Sequence, residues 1–174
     1  MKPVVLIGRA DCWKEDFERF KSICNDFDVM AIGMDCVYPG KLNYFVTYHP
    51  VDIQKYKNKN PGDYLVICHE EGKYDNVDII VEMNEKEKLK KGFSGSSAML
   101  AVIAAIRLRY EKIILCGCPM EGEHPKEGKK VFLPYSHFQK GWEIRKEEIE
   151  DYVKSMSGWT KDFLGEPTIE WLNQ

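Results

Sequence analysis

The chain has 174 residues, 44% of them hydrophobic and 30% charged. That is enough for one domain with a real core and no need of disulfides or metals. The formal net charge is −3, and the lysines at 86–91 and 126–130 are mixed with acids. This excludes the basic stripe of a general nucleic-acid binder. No apolar run approaches the ~20 residues of a membrane span.

Residues 3–8, PVVLIG, form a continuous apolar run ending in glycine, the pattern of a buried parallel strand. They read as a first strand rather than a signal peptide, so a cytoplasmic location is the expectation. Residues 11–26 follow as an amphipathic helix with Trp13, Phe17, Phe20, Ile23 and Cys24 on one face. Further strands are predicted at 28–33 (DVMAIG), 44–48 (YFVTY), 64–68 (YLVIC) and 78–82 (DIIVE), with one or two helical turns at 51–57. An apolar helix spans 97–110, and a β-branched strand at 112–116 ends at Gly117. Residues 138–156 read as one long charged helix, with Gly158 placed to cap its end. Strands alternating with helices indicate an α/β class: a single Rossmann-like domain over 1–174, with a mainly parallel sheet flanked by helices. Residues 121–134 show no periodicity and follow a strand end, so they form a candidate mobile lid.

There are six cysteines. No Cys-x-x-Cys occurs, and the strand contexts favour free thiols. The four histidines lack zinc spacing to a cysteine pair, and no Asp-x-Asp is present. Neither a metal nor a cofactor is expected.

Strand carboxyl ends in an open parallel sheet converge on one edge, where ligands bind. Gly8 and Gly33 leave that edge, and their missing side chains would let a ligand approach the backbone. Arg9 could clasp a phosphate. Asp11 is a ligand contact or a helix N-cap, and Asp35 is a ribose contact or a turn residue. His49 is a ligand contact or a turn residue. Ser94, Gly95, Ser96 and Ser97 open the apolar helix. Their loop offers free N–H groups and the positive dipole end to an anion, although the same serines suit ordinary capping. Neither Gly-x4-Gly-Lys-Ser/Thr nor Gly-x-Gly-x-x-Gly is present. Gly117 and Pro119 form the pocket floor. His137, with Tyr135 beside it, and His124 are the candidates for proton transfer; His137 alternatively just starts a helix. Trp159, Phe163 and Trp171 cover the core or join two copies as a homo-oligomer.

SGSSAMLAVIAAI (94–106) followed by YEKIILCGCPM (110–120) resembles the core signature of the bacterial sialyltransferase-like and Maf-type flagellin glycosylation proteins. VVLIGRAD (4–11) and DVMAIG (28–33) stand where that family has its first two strands. From the first of these segments to the last, the resemblance spans roughly two thirds of the chain. Gly33 stands where the family has Asn, Pro119-Met120 where it has Ile/Val-Asp, and Arg109 where it has Gly. The whole chain also resembles small phage-encoded proteins of unassigned function, which would place it in an infected bacterial host. The resemblance implies a nucleotide or nucleotide-sugar ligand of the cytidine type. It also implies a small metal-independent glycosyltransferase, with Tyr135 and His137 as counterparts of the family's Tyr and base His. The alternative is a non-catalytic nucleotide-binding or docking module.

Overall fold

The computed structural model describes residues 2–33, 36, 38–69, 76–82, 96–126, 129–132 and 135–174, with backbone alone for 124–126 and 129–132. Seven strands form one parallel sheet: β1 (Val4–Ile7), β2 (Asp28–Ile32), β3 (Tyr44–Val46), β4 (Leu65–His69), β5 (Ile79–Val81), β6 (Ile113–Cys116) and β9 (Val153–Ser155). Their order is β5-β4-β3-β2-β1-β6-β9. β1 pairs with β2 on one side, Val5 opposite Val29, and with β6 on the other, Val5 opposite Ile114. The chain therefore builds outward from β1 in one direction and then crosses back over it. This reversal is the topological switch point of an open α/β sheet.

Strands β1 and β6 are buried along their whole length, because helices cover both faces. On one face α1 (Trp13–Lys21) and α2 (Asp52–Lys59) close a core of Val5, Ile7, Phe17, Phe20, Phe45, Tyr56 and Ile114. Tyr56 stacks flat on Phe45 at 3.7 Å. On the other face lies α3 (Ser97–Arg107), whose residues 98–105 are all buried. A helix that is apolar all round is one enclosed by its protein, and α3 packs against every strand from β1 to β5. Its far end is tied down where Tyr110 Oη donates to Asp28 Oδ2 at 2.6 Å.

The sequence reading of 138–156 as one helix is corrected. α4 (Tyr135–Ile144) stops before Arg145, α5 (Lys146–Ile149) is one turn, and Val153–Ser155 leaves to become the edge strand β9 beside β6. Trp142, Ile149, Val153 and Met156 fit a helical stripe by spacing, but pairing with β6 decides a three-residue strand. Gly158 opens α6 (Gly158–Leu164) instead of closing the helix before it. Its φ is +64°, and a Cβ there would lie 2.4 Å from Pro119 Cβ. α7 (Ile169–Leu172) ends the fold; its Trp171 lies beneath Lys112 Nζ at 4.5 Å. Residues 121–134, read as lacking order, contain an antiparallel hairpin, β7 (Glu123–Lys126) with β8 (Lys129–Phe132). All six cysteines are free, as expected. Among the described residues no helix is long and apolar enough to cross a membrane.

Candidate functional site

The carboxyl edge of the sheet carries the exits of β1, β2, β3, β4 and β6, together with the start of α3. Two of the predicted glycines serve packing there. A Cβ on Gly8 would lie 2.3 Å from Gly117 O and 2.5 Å from Cys118 Sγ. Gly117 has φ +67°, and its Cβ would lie 2.4 Å from Trp13 Cβ. The backbone continues to pair past the strands, with Gly8 N donating to Cys116 O and Ala10 N to Gly117 O. The β1 and β6 exits are thus zipped together. Gly33 differs: its φ is +75° and nothing lies within 4 Å of where a Cβ would be. Its carbonyl accepts from Cys36 N.

Beneath the zipped exits sits a carboxylate that sequence reasoning missed. Asp16 is buried at 1% exposure. Its Oδ2 accepts from Gly117 N at 2.8 Å and from Ser157 Oγ at 2.6 Å. One oxygen therefore fastens α1, the β6 exit and the β9 exit together. It also takes the Gly117 N–H that a phosphate cradle would have offered. The signal was present: Asp16 lies three residues after Trp13 and four before Phe20, on the apolar stripe of α1. Thr160 reinforces the same corner, donating from its hydroxyl to Cys118 O at 2.7 Å. Cys12 Sγ is 3.4 Å from Ser157 Oγ. Burial, with the Asp16 charge adding to it, pushes the Cys12 thiol up, against the Ser157 hydrogen bond. This thiol is a poor nucleophile at neutral pH.

Cys12 occupies the N-cap position of α1 without a side-chain cap bond. Asp11 is exposed one residue earlier. Arg9 is half-buried, and its charge acts on Tyr135. Burial pushes the Tyr135 hydroxyl up and Arg9 draws it back, so the phenol stays a donor at neutral pH. Tyr135 opens α4, and Gln139 Nε2 ties that helix to Met120 O at 3.0 Å. His137, two residues on, is exposed in the same first turn, with its ring 6.4 Å from Phe138. Pro119 is half-buried against Gly158.

The start of α3 faces the β3 exit. Ser96 is the N-cap and its Oγ accepts from Met99 N at 3.4 Å, the ordinary capping role. Ser97 Oγ accepts from Tyr48 N at 3.0 Å. Asp35, Ser94 and Gly95 lie outside the described residues. So does the side chain of His124, whose backbone pairs opposite Val131 in the hairpin. Beside Ser97, Tyr48 stacks on His69 at 4.4 Å and meets His49 edge-on at 5.7 Å. Among the described residues no cluster of His, Cys, Asp and Glu is grouped as a metal site.

No protein-family model and no curated protein matches the sequence. The fold has solved counterparts. One is a Maf glycosyltransferase from Magnetospirillum magneticum AMB-1, with a TM-score of 0.61 and 11% identity over 90% of this chain. Another is the sialyltransferase CstII from Campylobacter jejuni, solved with the substrate analogue CMP-3FNeuAc. Its TM-score is 0.57, with 17% identity over 97% of this chain and 89% of that one. The fold is sialyltransferase- and Maf-like. The chain spans only 32% of the Maf protein's length, and at these identities the likeness is one of architecture. The resemblance read from 94–120 therefore holds at the level of fold.

Proposed function

We propose that this chain binds a nucleotide sugar along the carboxyl edge of β1, β2 and β3 and transfers its glycosyl group. The observation that carries the reading is the position of α3. Ser97 is bonded to the backbone just past β3, so the N–H end of an 11-residue helix meets the edge where Gly33 leaves open space. A helix start binds anions through its free N–H groups and dipole. The CMP-sugar analogue held by CstII supports a nucleotide sugar as the ligand class.

In this reading the phosphate lies between the start of α3 and Arg9. The acceptor hydroxyl attacks the anomeric carbon while the bond from that carbon to the phosphate oxygen breaks. The bonding pair leaves with the nucleoside monophosphate. Arg9 and the Tyr135 hydroxyl take up the growing phosphate charge. His137 receives the acceptor's proton, which requires it to come within hydrogen-bond reach of that hydroxyl. The hairpin at 123–132 is the segment adjoining α4 and serves as the lid over this arrangement.

The test is calorimetry with nucleoside monophosphates and their sugar conjugates, followed by mass analysis for released nucleotide. Binding together with release supports the transferase. Binding without release, with acceptors supplied, leaves a nucleotide-binding module. Failure to bind any member of the panel ends both. His137→Ala is expected to abolish release while nucleotide affinity stays within about twofold, since a base removed from the acceptor side touches no part of the nucleotide.

A further inference from the structure

Four successive carbonyls at the β6 exit each accept a hydrogen bond from a neighbouring element. Gly117 O accepts from Ala10 N, and Cys118 O accepts from Thr160 Oγ1 at 2.7 Å. Pro119 O accepts from Thr160 N at 3.4 Å. Met120 O accepts from Gln139 Nε2 at 3.0 Å. The first three bonds tie the β1 exit and α6 to the end of the strand. The fourth comes from α4, the helix that carries Tyr135 and His137.

Met120 is a fixed receiver for that bond. Its φ is +54°, in the left-handed region that few residues other than glycine occupy. Its side chain is buried in the core at 8% exposure. Turning this peptide to follow a displaced α4 would draw the side chain out of the core. The position of α4 must therefore match Met120, and Gln139 makes the match.

Helical spacing decides which side of α4 is held. Residues four and seven apart share a face, so Tyr135, Gln139 and Trp142 are aligned. Burial agrees: Tyr135, Phe138 and Gln139 are half-buried and Trp142 is buried, while Ser136, His137 and Lys140 are exposed. The Gln139 bond thus acts one turn from Tyr135 and on the same face, with His137 on the other. Arg9, Cys12 and Cys118 all act electrostatically on the Tyr135 hydroxyl, which puts it beside the β1 and β6 exits. No described residue is hydrogen-bonded to that hydroxyl.

We propose that Gln139 is the positioning residue for Tyr135, its bond to Met120 O setting the place of α4 from which the Tyr135 hydroxyl meets the leaving phosphate. The assignment rests on the transfer reading above and adds to it the group that fixes one of its donors. A donor stabilises growing charge only within about 2.7–3.1 Å of it. A misplacement of about 1 Å costs on the order of 100-fold in rate. An interaction made in the transition state affects kcat and leaves ground-state binding alone.

The experiment uses the CMP-sugar that shows release in the panel above, with CMP as the probe of affinity. Gln139→Met keeps the length of the side chain and loses the donor; Gln139→Lys keeps a donor on an unbranched chain one bond longer. Gln139→Met is expected to lower kcat about 10–100-fold, with KM and CMP affinity within about twofold of wild type. Gln139→Lys should recover most of the loss. In a Tyr135→Phe background, Gln139→Met should add no more than about a twofold loss, because the group it places is already gone. Circular dichroism checks each fold. Should Gln139→Met not fold, Gln139→Glu, which keeps the shape and also lacks the donor at neutral pH, takes its place. Unchanged kcat overturns the proposal, as does a fall in CMP affinity that matches the fall in kcat. So does a lysine variant as slow as the methionine one, or a full further loss in the Tyr135→Phe background, which would make Gln139 a support of the fold only. If the wild type releases nucleotide from no member of the panel, the transfer reading itself has failed and this proposal goes with it.

Discussion

Replacing Asp16 with alanine should cost more than any other single truncation of a polar side chain described here. The carboxylate is 1% exposed and one oxygen receives both Gly117 N–H and Ser157 Oγ–H. A hydrogen bond to a charged group contributes about 1.5–3 kcal/mol. Gly117 is buried, so its N–H would be left with no acceptor; Ser157 is half-buried and recovers part of its loss from water. Counting the first bond in full and the second in part gives about 3–4 kcal/mol. Asp16→Asn keeps an oxygen in place for both donors and exchanges charged bonds for neutral ones, a loss of about 1–2 kcal/mol. At about 2–4 °C per kcal/mol for a chain of this size, alanine should lower Tm by about 6–16 °C and asparagine by about 2–8 °C. Urea denaturation followed by tryptophan fluorescence gives the two free energies directly. If alanine unfolds within about 1 kcal/mol of wild type, or if the two variants are equal, the carboxylate does not fasten the three loops and the account of the site's foundation is wrong.

Gly117→Ala should destabilise by about 2–4 kcal/mol, the left-handed backbone and the contact with Trp13 adding together. Gly33→Ala, with open space around it, should lose only the backbone part, about 1–2 kcal/mol; chemical denaturation of the pair tests the contrast. Arg109 adopts φ +66°, so Arg109→Gly should stabilise by about 0.5–1 kcal/mol once glycine's greater unfolded-state freedom is subtracted. Thiol titration of the native chain should find only Cys12 and Cys24 accessible, and all six only in denaturant, because the other cysteines are buried. Burial pushes the Cys36 thiol from its ordinary 9.0 up to about 12, and it raises Cys116, Cys118, Tyr56 and Tyr110 as well. These groups hold their protons in the fold after the unfolded chain has released them. Stability is therefore complete below about pH 9 and falls as pH rises through 9–12, by about 1.4 kcal/mol per pH unit for Cys36 alone. Denaturation midpoints at a series of alkaline pH values check the slope.

The parallel sheet was legible because six of its seven strands carry their own signal. A strand buried on both faces must be apolar throughout, and Val4–Ile7 and Ile113–Cys116 are. α3 was legible for the same reason at helical length. What could not be read was structure made by partners instead of by local sequence. Val153-Lys-Ser155 has no strand signature and becomes one by lying against Ile113–Leu115. The hairpin had a local sign, the X-Gly pair at 127–128 between two short runs, but its charges masked the alternation.

The site was legible as a location and less so as a set of contacts, and glycine shows why. A glycine at a strand end marks close approach to the backbone without telling what approaches. At Gly8 and Gly117 it is protein: another loop, a thiol and the Cα and Cβ of Trp13. At Gly33 it is open space. The serines divide in the same way, with Ser96 spent on its own helix and Ser97 on the β3 exit. Polar residues on the strand edge therefore belong to two layers. A lower layer of Asp16, Ser157, Thr160 and the paired glycines fixes the loops to one another. In the proposed reading, an upper layer of Gly33, Arg9, Tyr135 and the start of α3 meets the ligand. This sets different consequences for the two kinds of variant: changes at Asp16 should appear in stability first, and changes at Arg9 in ligand affinity.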